Sequence, residues 1–276
     1  MRPSFQVIDV VPLAPDIKRV IVAAPNVARY ARPGQFVIVR LDESGERVPL
    51  TICEYDRSGG TITLVIQAVG HTTRLLTRLQ PGDDVSDVLG PLGRPSAIAR
   101  YGRTVVVGGG VGTAIALPVA RALAQADNTV IGIVGARDRA HLILIDEMSA
   151  VCDDLAVVTE DGSTGRSGLV TGPLVELLAS ERTDYVFAAG PVAMMAAVAD
   201  VTRPYGVDTI ASLNPIMVDG TGMCGGCRVR VGGETRFACV DGPEFDAHQV
   251  DFDLLAVRNR AYVDFERCRV GTETAS

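Results

Sequence analysis

The sequence is poor in several features that would announce a function. Lys and Arg number 26 against 33 Asp and Glu, a net charge of −7. With no basic excess to neutralise phosphates, non-specific nucleic-acid binding is excluded. Histidine occurs only three times, and His71, in GHTT, has no second histidine or carboxylate beside it in sequence. It is given no acid–base role. No Ser-His-Asp or paired-carboxylate arrangement is legible either, so no catalytic side chain is nominated.

Long apolar runs are also missing. VVVGGGVGTAIALPVA at 105–120 is interrupted by four glycines and Pro118 and is followed by Arg121. It is too short and too broken to span a bilayer, so no membrane partner is expected. MRPSFQVIDVVPLAPDIKRV lacks the long apolar core of a secretory signal, and a cytoplasmic location is expected. Six cysteines in 276 residues are too sparse for a secreted disulfide scaffold, and three of them cluster. In a cytosolic chain that pattern points to metal or redox chemistry.

What is present is enough apolar residue, 47%, for substantial cores, with 29 glycines and 15 prolines spread along the chain. The first hundred residues read as short β-branched runs between Pro, Gly and Asp: FQVIDVVPLA, KRVIVAA, GQFVIVRLD, VPLTICEYD and GTITLVIQAVG. Five or six strands at this spacing predict a small antiparallel barrel over 1–100. PGQFV and PGDDV are turn-then-strand signals. Over 101–212 strands alternate with helices: TVVVGGG, TVIGIVGAR, LAVVTEDG and DYVFAAGP are strands, and LVTGPLVELLASE is a helix. That alternation predicts a doubly wound α/β domain with a parallel sheet. The segment 213–276 is expected to hold a cysteine loop, a strand pair (CRVRVGG and ETRFACV) and a terminal helix within DFDLLAVRNRAYVDFE.

VVVGGGVGTA joins a strand to a helix through Gly108, Gly109, Gly110, Val111, Gly112 and Thr113. Glycine lets a backbone approach a pyrophosphate, and the helix start offers free N–H groups. The spacing departs from the usual dinucleotide fingerprint, so a merely tight strand–helix turn reads equally well. Pro118 predicts a kink or early break in the helix. Gly190-Pro191, in AAGPVAMM, repeats the strand–turn–helix logic at the ligand edge of the sheet. Arg137, which suits a 2′-phosphate, is opposed by the adjacent Asp138.

DGTGMCGGC followed by FACVDG sets Asp219, Cys224, Cys227 and Cys239 in the pattern D-x4-C-x2-C-x11-C. Three thiolates and a carboxylate suit zinc or an iron–sulfur cluster. Plant-type 2Fe–2S loops read C-x4-C-x2-C, which puts Asp219 in the first ligand position. Gly220, Gly222, Gly225 and Gly226 favour the cluster, because they let a loop fold around sulfides with its N–H groups inward. Cys53, Cys152 and Cys268 stand apart and read as structural thiols.

Together PGQFVIVRLDESGERVPLT, GPLGRPS, VVVGGGVGTA, TRPYG and SLNPIMVDGTGMCGGCRVRVGGETRFACVDGPEFD resemble the ferredoxin-reductase-like electron-transfer flavoproteins. This family includes dihydroorotate dehydrogenase electron-transfer subunits and the small subunits of NADH-dependent reduced ferredoxin:NADP+ oxidoreductases. Asp219 is similar to the second kind, because the first carries cysteine there. The resemblance implies an FAD-binding barrel, an NAD-binding α/β domain and a C-terminal 2Fe–2S segment. It places FAD at Arg47, Pro49, Leu50 and Thr51, at Ile66 and Gln67, and at Gly70, Thr72 and Thr73. It places NAD(H) at 108–112 with Thr113 and at Gly190-Pro191, and the cluster on Asp219, Cys224, Cys227 and Cys239. The implied partner is a larger iron–sulfur flavoprotein with an NADP(H) site, coupled to ferredoxin by electron bifurcation. The rival readings are a dihydroorotate dehydrogenase subunit and a zinc-stabilised nucleotide-binding regulator.

Overall fold

The computed structural model describes residues 5–43 and 45–261. Cys268 and the end of the expected terminal helix lie outside them.

The N-terminal sheet contains β1 (Phe5–Ala14), β2 (Ile17–Ala23), β3 (Phe36–Arg40), β4 (Arg47–Asp56), β5 (Thr61–Gln67), β6 (Asp84–Val85) and β7 (Asp87–Leu92). Its order is β6-β1-β2-β5-β4-β3-β7. The two strands at the ends, β6 and β7, are separated only by Ser86, whose N–H bonds to Leu41. The sheet therefore closes on itself as a nearly complete antiparallel barrel, which removes its edges. Alternate residues such as Val20, Val22, Val37, Val39, Ile62 and Leu64 fill the inside. The short helices α1 (Pro25–Tyr30) and α2 (His71–Leu76) cover it.

The second sheet is built from β8 (Arg103–Gly109), β9 (Thr129–Ala136), β10 (Asp154–Thr159), β11 (Arg166–Ser167), β12 (Tyr185–Ala189) and β13 (Asp208–Ser212). Its helices are α3 (Thr113–Gln125), α4 (Ile145–Ser149), α5 (Thr171–Ser180) and α6 (Val192–Thr202). Apart from the first residue of β8 and the two ends of β9, every residue of β8, β9 and β12 is buried. Strands covered by helices on both faces need such continuous apolar runs. The helix α3 runs through Pro118 without the expected break. Proline there removes one N–H···O=C bond, and buried packing of Ala116, Leu117, Pro118 and Val119 beneath the sheet outweighs that loss.

The remaining elements are the hairpin β14 (Arg228–Val231) and β15 (Glu234–Phe237), helix α7 (Ala238–Asp241), strand β16 (Glu244–Asp246) and helix α8 (Phe252–Asn259). β16 runs antiparallel beside β13, so the large sheet has the order β11-β10-β9-β8-β12-β13-β16. The chain past residue 212 is thus sewn into the α/β sheet and is not merely appended to it.

Candidate functional site

The flavin motif lies along β4. Arg47 is exposed, Pro49 and Thr51 are half-buried, and Leu50 points into the barrel. Antiparallel pairing sets Phe36 opposite Thr51, Val37 opposite Leu50 and Ile38 opposite Pro49. On the other side of β4, β5 carries buried Ile66 and half-buried Gln67, whose amide donates to Asp16 at 2.9 Å. Gly70 begins α2, where the Thr73 hydroxyl accepts from the Gly70 N–H at 2.9 Å and returns a bond to the Gly70 carbonyl. Thr72 donates to Glu46, the neighbour of Arg47, at 3.0 Å. This bond ties the second flavin stretch to the residue that precedes the first. A cavity of about 100 Å³, lined by Glu46, His71, Thr72 and Leu75 among others, lies between α2 and the loop before β4.

The glycine turn lies at the switch point of the parallel sheet. From β8 the chain builds outward through β9 to β10, then crosses to β12 on the other side. Ligands of such sheets bind in the crevice that this reversal opens at the carboxyl ends of the strands. Gly110 to Gly112 form a single 3-10 turn there, leading into α3. A Cβ on Gly109 would lie 2.3 Å from the sulfur of Met194 and 3.2 Å from Pro191, and one on Gly112 would lie 2.2 Å from the Ala189 carbonyl. The two turns, 108–112 and 190–191, are therefore packed against each other. Gly110, at φ +53°, faces open space. The Thr113 hydroxyl is buried without a partner among the described residues, a donor left over at the helix start. The same turn packs against β5 of the barrel. At the end of β9, Asp138 accepts from the His141 ring at 2.6 Å, and Arg137 is folded towards both.

The cysteine loop lies on the opposite side of the flavin motif. Gly220, at φ +77°, sits so close to the barrel that a Cβ would meet Leu92 at 2.7 Å and Ile38 at 2.8 Å. Ile38 is the partner of Pro49, so one strand separates the loop from the flavin motif. The sulfurs of Cys227 and Cys239 are 3.2 Å apart, too far for a disulfide. Cys224 is exposed, and its sulfur accepts from the Gly226 N–H at 3.4 Å. Asp219 turns its carboxylate onto its own loop, accepting from the N–H groups of Thr221 at 2.5 Å and Cys224 at 2.7 Å. Those bonds, Thr221's first, hold its pKa down to about 2. Burial, with Cys227 beside it, pushes the Cys239 thiol up to about 12. Among the described residues no three His, Cys, Asp or Glu side chains converge as a finished metal site. The donor set nonetheless suits a two-iron cluster: three thiols and a carboxylate on a glycine-rich loop and one short helix, with a backbone N–H already directed at a sulfur. Cys53 and Cys152 are far from this chemistry. Desolvation raises their thiols to about 12 and about 11, as structural cysteines require.

Known proteins share this arrangement. The iron–sulfur cluster binding domain of dihydroorotate dehydrogenase B matches residues 214–251, and the oxidoreductase NAD-binding domain matches 106–200. A dihydroorotate dehydrogenase B (NAD(+)) electron transfer subunit homolog from Thermotoga maritima is 45% identical over 262 residues, covering 95% of this chain and 93% of that protein. The electron transfer subunit of Geobacillus thermodenitrificans is 35% identical, covering 81% and 88%. The chain belongs to the dihydroorotate dehydrogenase B electron-transfer subunit family. It is an electron-transfer subunit of an oxidoreductase acting on NAD(H), with FAD and a 2Fe–2S cluster as its cofactors. A chain in the structure of NADH-dependent reduced ferredoxin-NADP oxidoreductase, solved for insight into flavin-based electron bifurcation, superposes with a TM-score of 0.92 at 43% identity, covering 98% of both chains. No helix among the described residues is long and apolar enough to cross a membrane.

Sequence reasoning missed Asn214, whose amide reaches the Gly190 carbonyl at 3.5 Å and whose own carbonyl accepts from Asn259. A lone Asn-Pro pair gives no signal of that role. It also missed the side chain of Glu244, which becomes significant only through contacts distant in sequence.

Proposed function

We propose that this chain exchanges electrons with NAD(H) at FAD and delivers them singly, through a 2Fe–2S cluster, to a larger iron–sulfur flavoprotein. That partner carries an NADP(H) site, and the complex couples NADH, NADPH and ferredoxin by flavin-based bifurcation in the cytoplasm. The observation that carries this reading is a spatial order. The glycine turn abuts β5, the flavin motif occupies β4, and the cysteine loop rests on Ile38 and Leu92.

The bound groups supply two-electron exchange at the flavin and one-electron transfer at the cluster. The chain supplies position. The paired turns at 108–112 and 190–191 let a pyrophosphate come close, and the start of α3 gives it N–H donors and a partner for Thr113. Arg47 offers a bidentate cation to the flavin phosphates. Asp138, at the end of β9, would bring negative charge to the side of a bound adenosine ribose, which favours NAD(H) over a 2′-phosphorylated nucleotide. Asp219, Cys224, Cys227 and Cys239 hold the cluster. The thiols ionise on binding metal, so the high pKa of Cys239 makes assembly proton-releasing.

Anaerobic purification tests this directly. The protein is expected with one FAD and about two irons per chain. Zinc without iron would overturn it in favour of a zinc-stabilised regulator. Isolation of the native complex separates the remaining reading, since a partner that oxidises dihydroorotate would place the chain in a dihydroorotate dehydrogenase.

A further inference from the structure

PGQF at 33–36, GPLGRPS at 90–96 and the end of VDGPEFD at 240–246 hold no cofactor in the reading above, yet the structure brings them to one seam. The Arg94 N–H donates to the Gly242 carbonyl at 2.7 Å, and Arg94 Nε donates to the Val240 carbonyl at 3.1 Å. Gln35 donates to the Gly93 carbonyl at 2.8 Å. In the middle stands Glu244 of β16. Its carboxylate accepts from the Ser96 hydroxyl at 2.5 Å. It also lies over Gly34, where a Cβ would come within 2.4 Å of Oε1, and Gly34 has φ +80°. Both the backbone angle and the carboxylate therefore require glycine at that position.

Among the described residues no Lys, Arg or His forms an ion pair with Glu244. Arg94, on the same linker, pairs with Asp241 at 3.7 Å. Asp246 is occupied by the N–H of His248 and the amide of Gln249, and the His248 ring turns to Thr202. Tyr101 and Tyr185, stacked at 4.3 Å, feel the charges of both Glu244 and Asp208. Glu244 is half-buried, and a carboxylate packed into the seam with one hydroxyl donor and no cation favours its neutral form. Burial accordingly lifts the Glu244 pKa to about 7.

The position matters as much as the burial. Glu244 lies five residues beyond Cys239 in sequence. Through Gly34 it also touches the turn that delivers Phe36 to its place opposite Thr51. We propose that Glu244 is a redox-linked proton site on the seam that joins the flavin barrel to the cluster segment. It binds a proton from water when an electron adds negative charge to these neighbours, and returns it to water when the electron leaves. On uptake an O–H bond of hydronium breaks as the carboxyl O–H forms, leaving water, the reverse occurs on release, and the electron comes from NADH through the established reaction. This role rests on the cofactor placement proposed above.

The test is a redox titration of the cluster in the holoprotein, read by EPR between about pH 6 and 8, the range in which such a group ionises. The wild-type midpoint potential is expected to fall as pH rises. Glu244→Gln, which fixes a neutral side chain of the same shape, should flatten that dependence, while a histidine elsewhere would leave it in place. Ser96→Ala removes the donor to the ionised form and should move the bend to higher pH, which keeps the test decisive if the Gln variant folds poorly. A pH-independent wild-type potential, or an unchanged slope in Glu244→Gln, overturns the proposal. Thermal unfolding of the oxidised holoprotein, followed by circular dichroism, gives an independent readout. The wild type should lose stability as pH rises from about 4.5 to about 7 and level off above, and Glu244→Gln should not. Equal losses in both overturn the proton site alone, whereas a protein that takes up no cluster overturns the cofactor placement itself.

Discussion

Asp219 caps its own loop in this structure and, in the proposed function, ligates an iron. Its two N–H partners keep it ionised far below neutrality. A depressed carboxylate pKa means that the capping contribution is complete above the ordinary aspartate value of 3.8 and is lost only as pH falls through about 2. Asp219 is therefore an anion throughout the working range, available to a cation that competes with its N–H donors. Oxygen is a harder ligand than sulfur, so Asp219→Cys is expected to keep a cluster with an altered EPR spectrum and potential. Asp219→Ala should lose iron or bind it weakly, with FAD content unchanged in both. Full iron and an unshifted EPR signal in Asp219→Ala would leave the carboxylate with its capping role alone. Asp219 was legible from spacing, because a fixed C-x4-C-x2-C register exposes the odd residue. Its turned-in rotamer was not, because that depends on the N–H groups of the folded loop.

The elements make a sharper contrast at the two glycine turns. Gly112 has the Ala189 backbone directly against it, while Gly110 faces empty space. Gly112→Ala should force β8 and β12 apart at their ends and cost about 1–3 kcal/mol in thermal or denaturant unfolding, the usual penalty of overpacking. Gly110→Val meets no protein atom. It pays about 1–2 kcal/mol for a left-handed backbone and places its side chain in the open space that the proposed function gives to the pyrophosphate. FAD reduction by NADH, followed by stopped flow, should slow markedly in Gly110→Val with FAD still bound. An unchanged rate would place the nucleotide elsewhere. Between the barrel and the α/β domain, Arg121 of α3 meets Glu54 of β4 at 2.9 Å, both partly exposed. Such a pair is worth at most about 1 kcal/mol, so Arg121→Ala should leave the unfolding midpoint nearly unmoved. The main strands of both sheets and the helices α3, α5 and α6 could be read from β-branched runs and their alternation, but the short helices α1, α2 and α4 could not. The two-residue strand β6 was signalled by the turn in PGDDV, whereas the antiparallel β16 could not be read, since three residues carry no period and owe their conformation to β13. Pro118 misled for a related reason: local propensity was outweighed by burial of the whole helix.

At the scale of the molecule the proposed function sets the carriers in series. The turn at 110–112 packs against β5 of the barrel, the cysteine loop packs against Ile38 and Leu92, and the linker at 93–97 ties the barrel to the segment that bears that loop. The sequence shows the three parts and their ligand types through glycine and cysteine spacing. Their order in space depends on contacts such as Gly220 on Ile38, which no local pattern records. In the proposed function that order makes the flavin the intermediate between NADH and the cluster. The most direct measurement is anaerobic stopped-flow reduction by NADH, comparing the wild type with Cys224→Ala, a substitution in the exposed part of the loop. The expected result is flavin bleaching before cluster bleaching in the wild type, and undiminished flavin bleaching with no cluster signal in Cys224→Ala. Cluster reduction that precedes the flavin, or loss of NADH oxidation whenever the cluster is absent, would contradict this order of carriers.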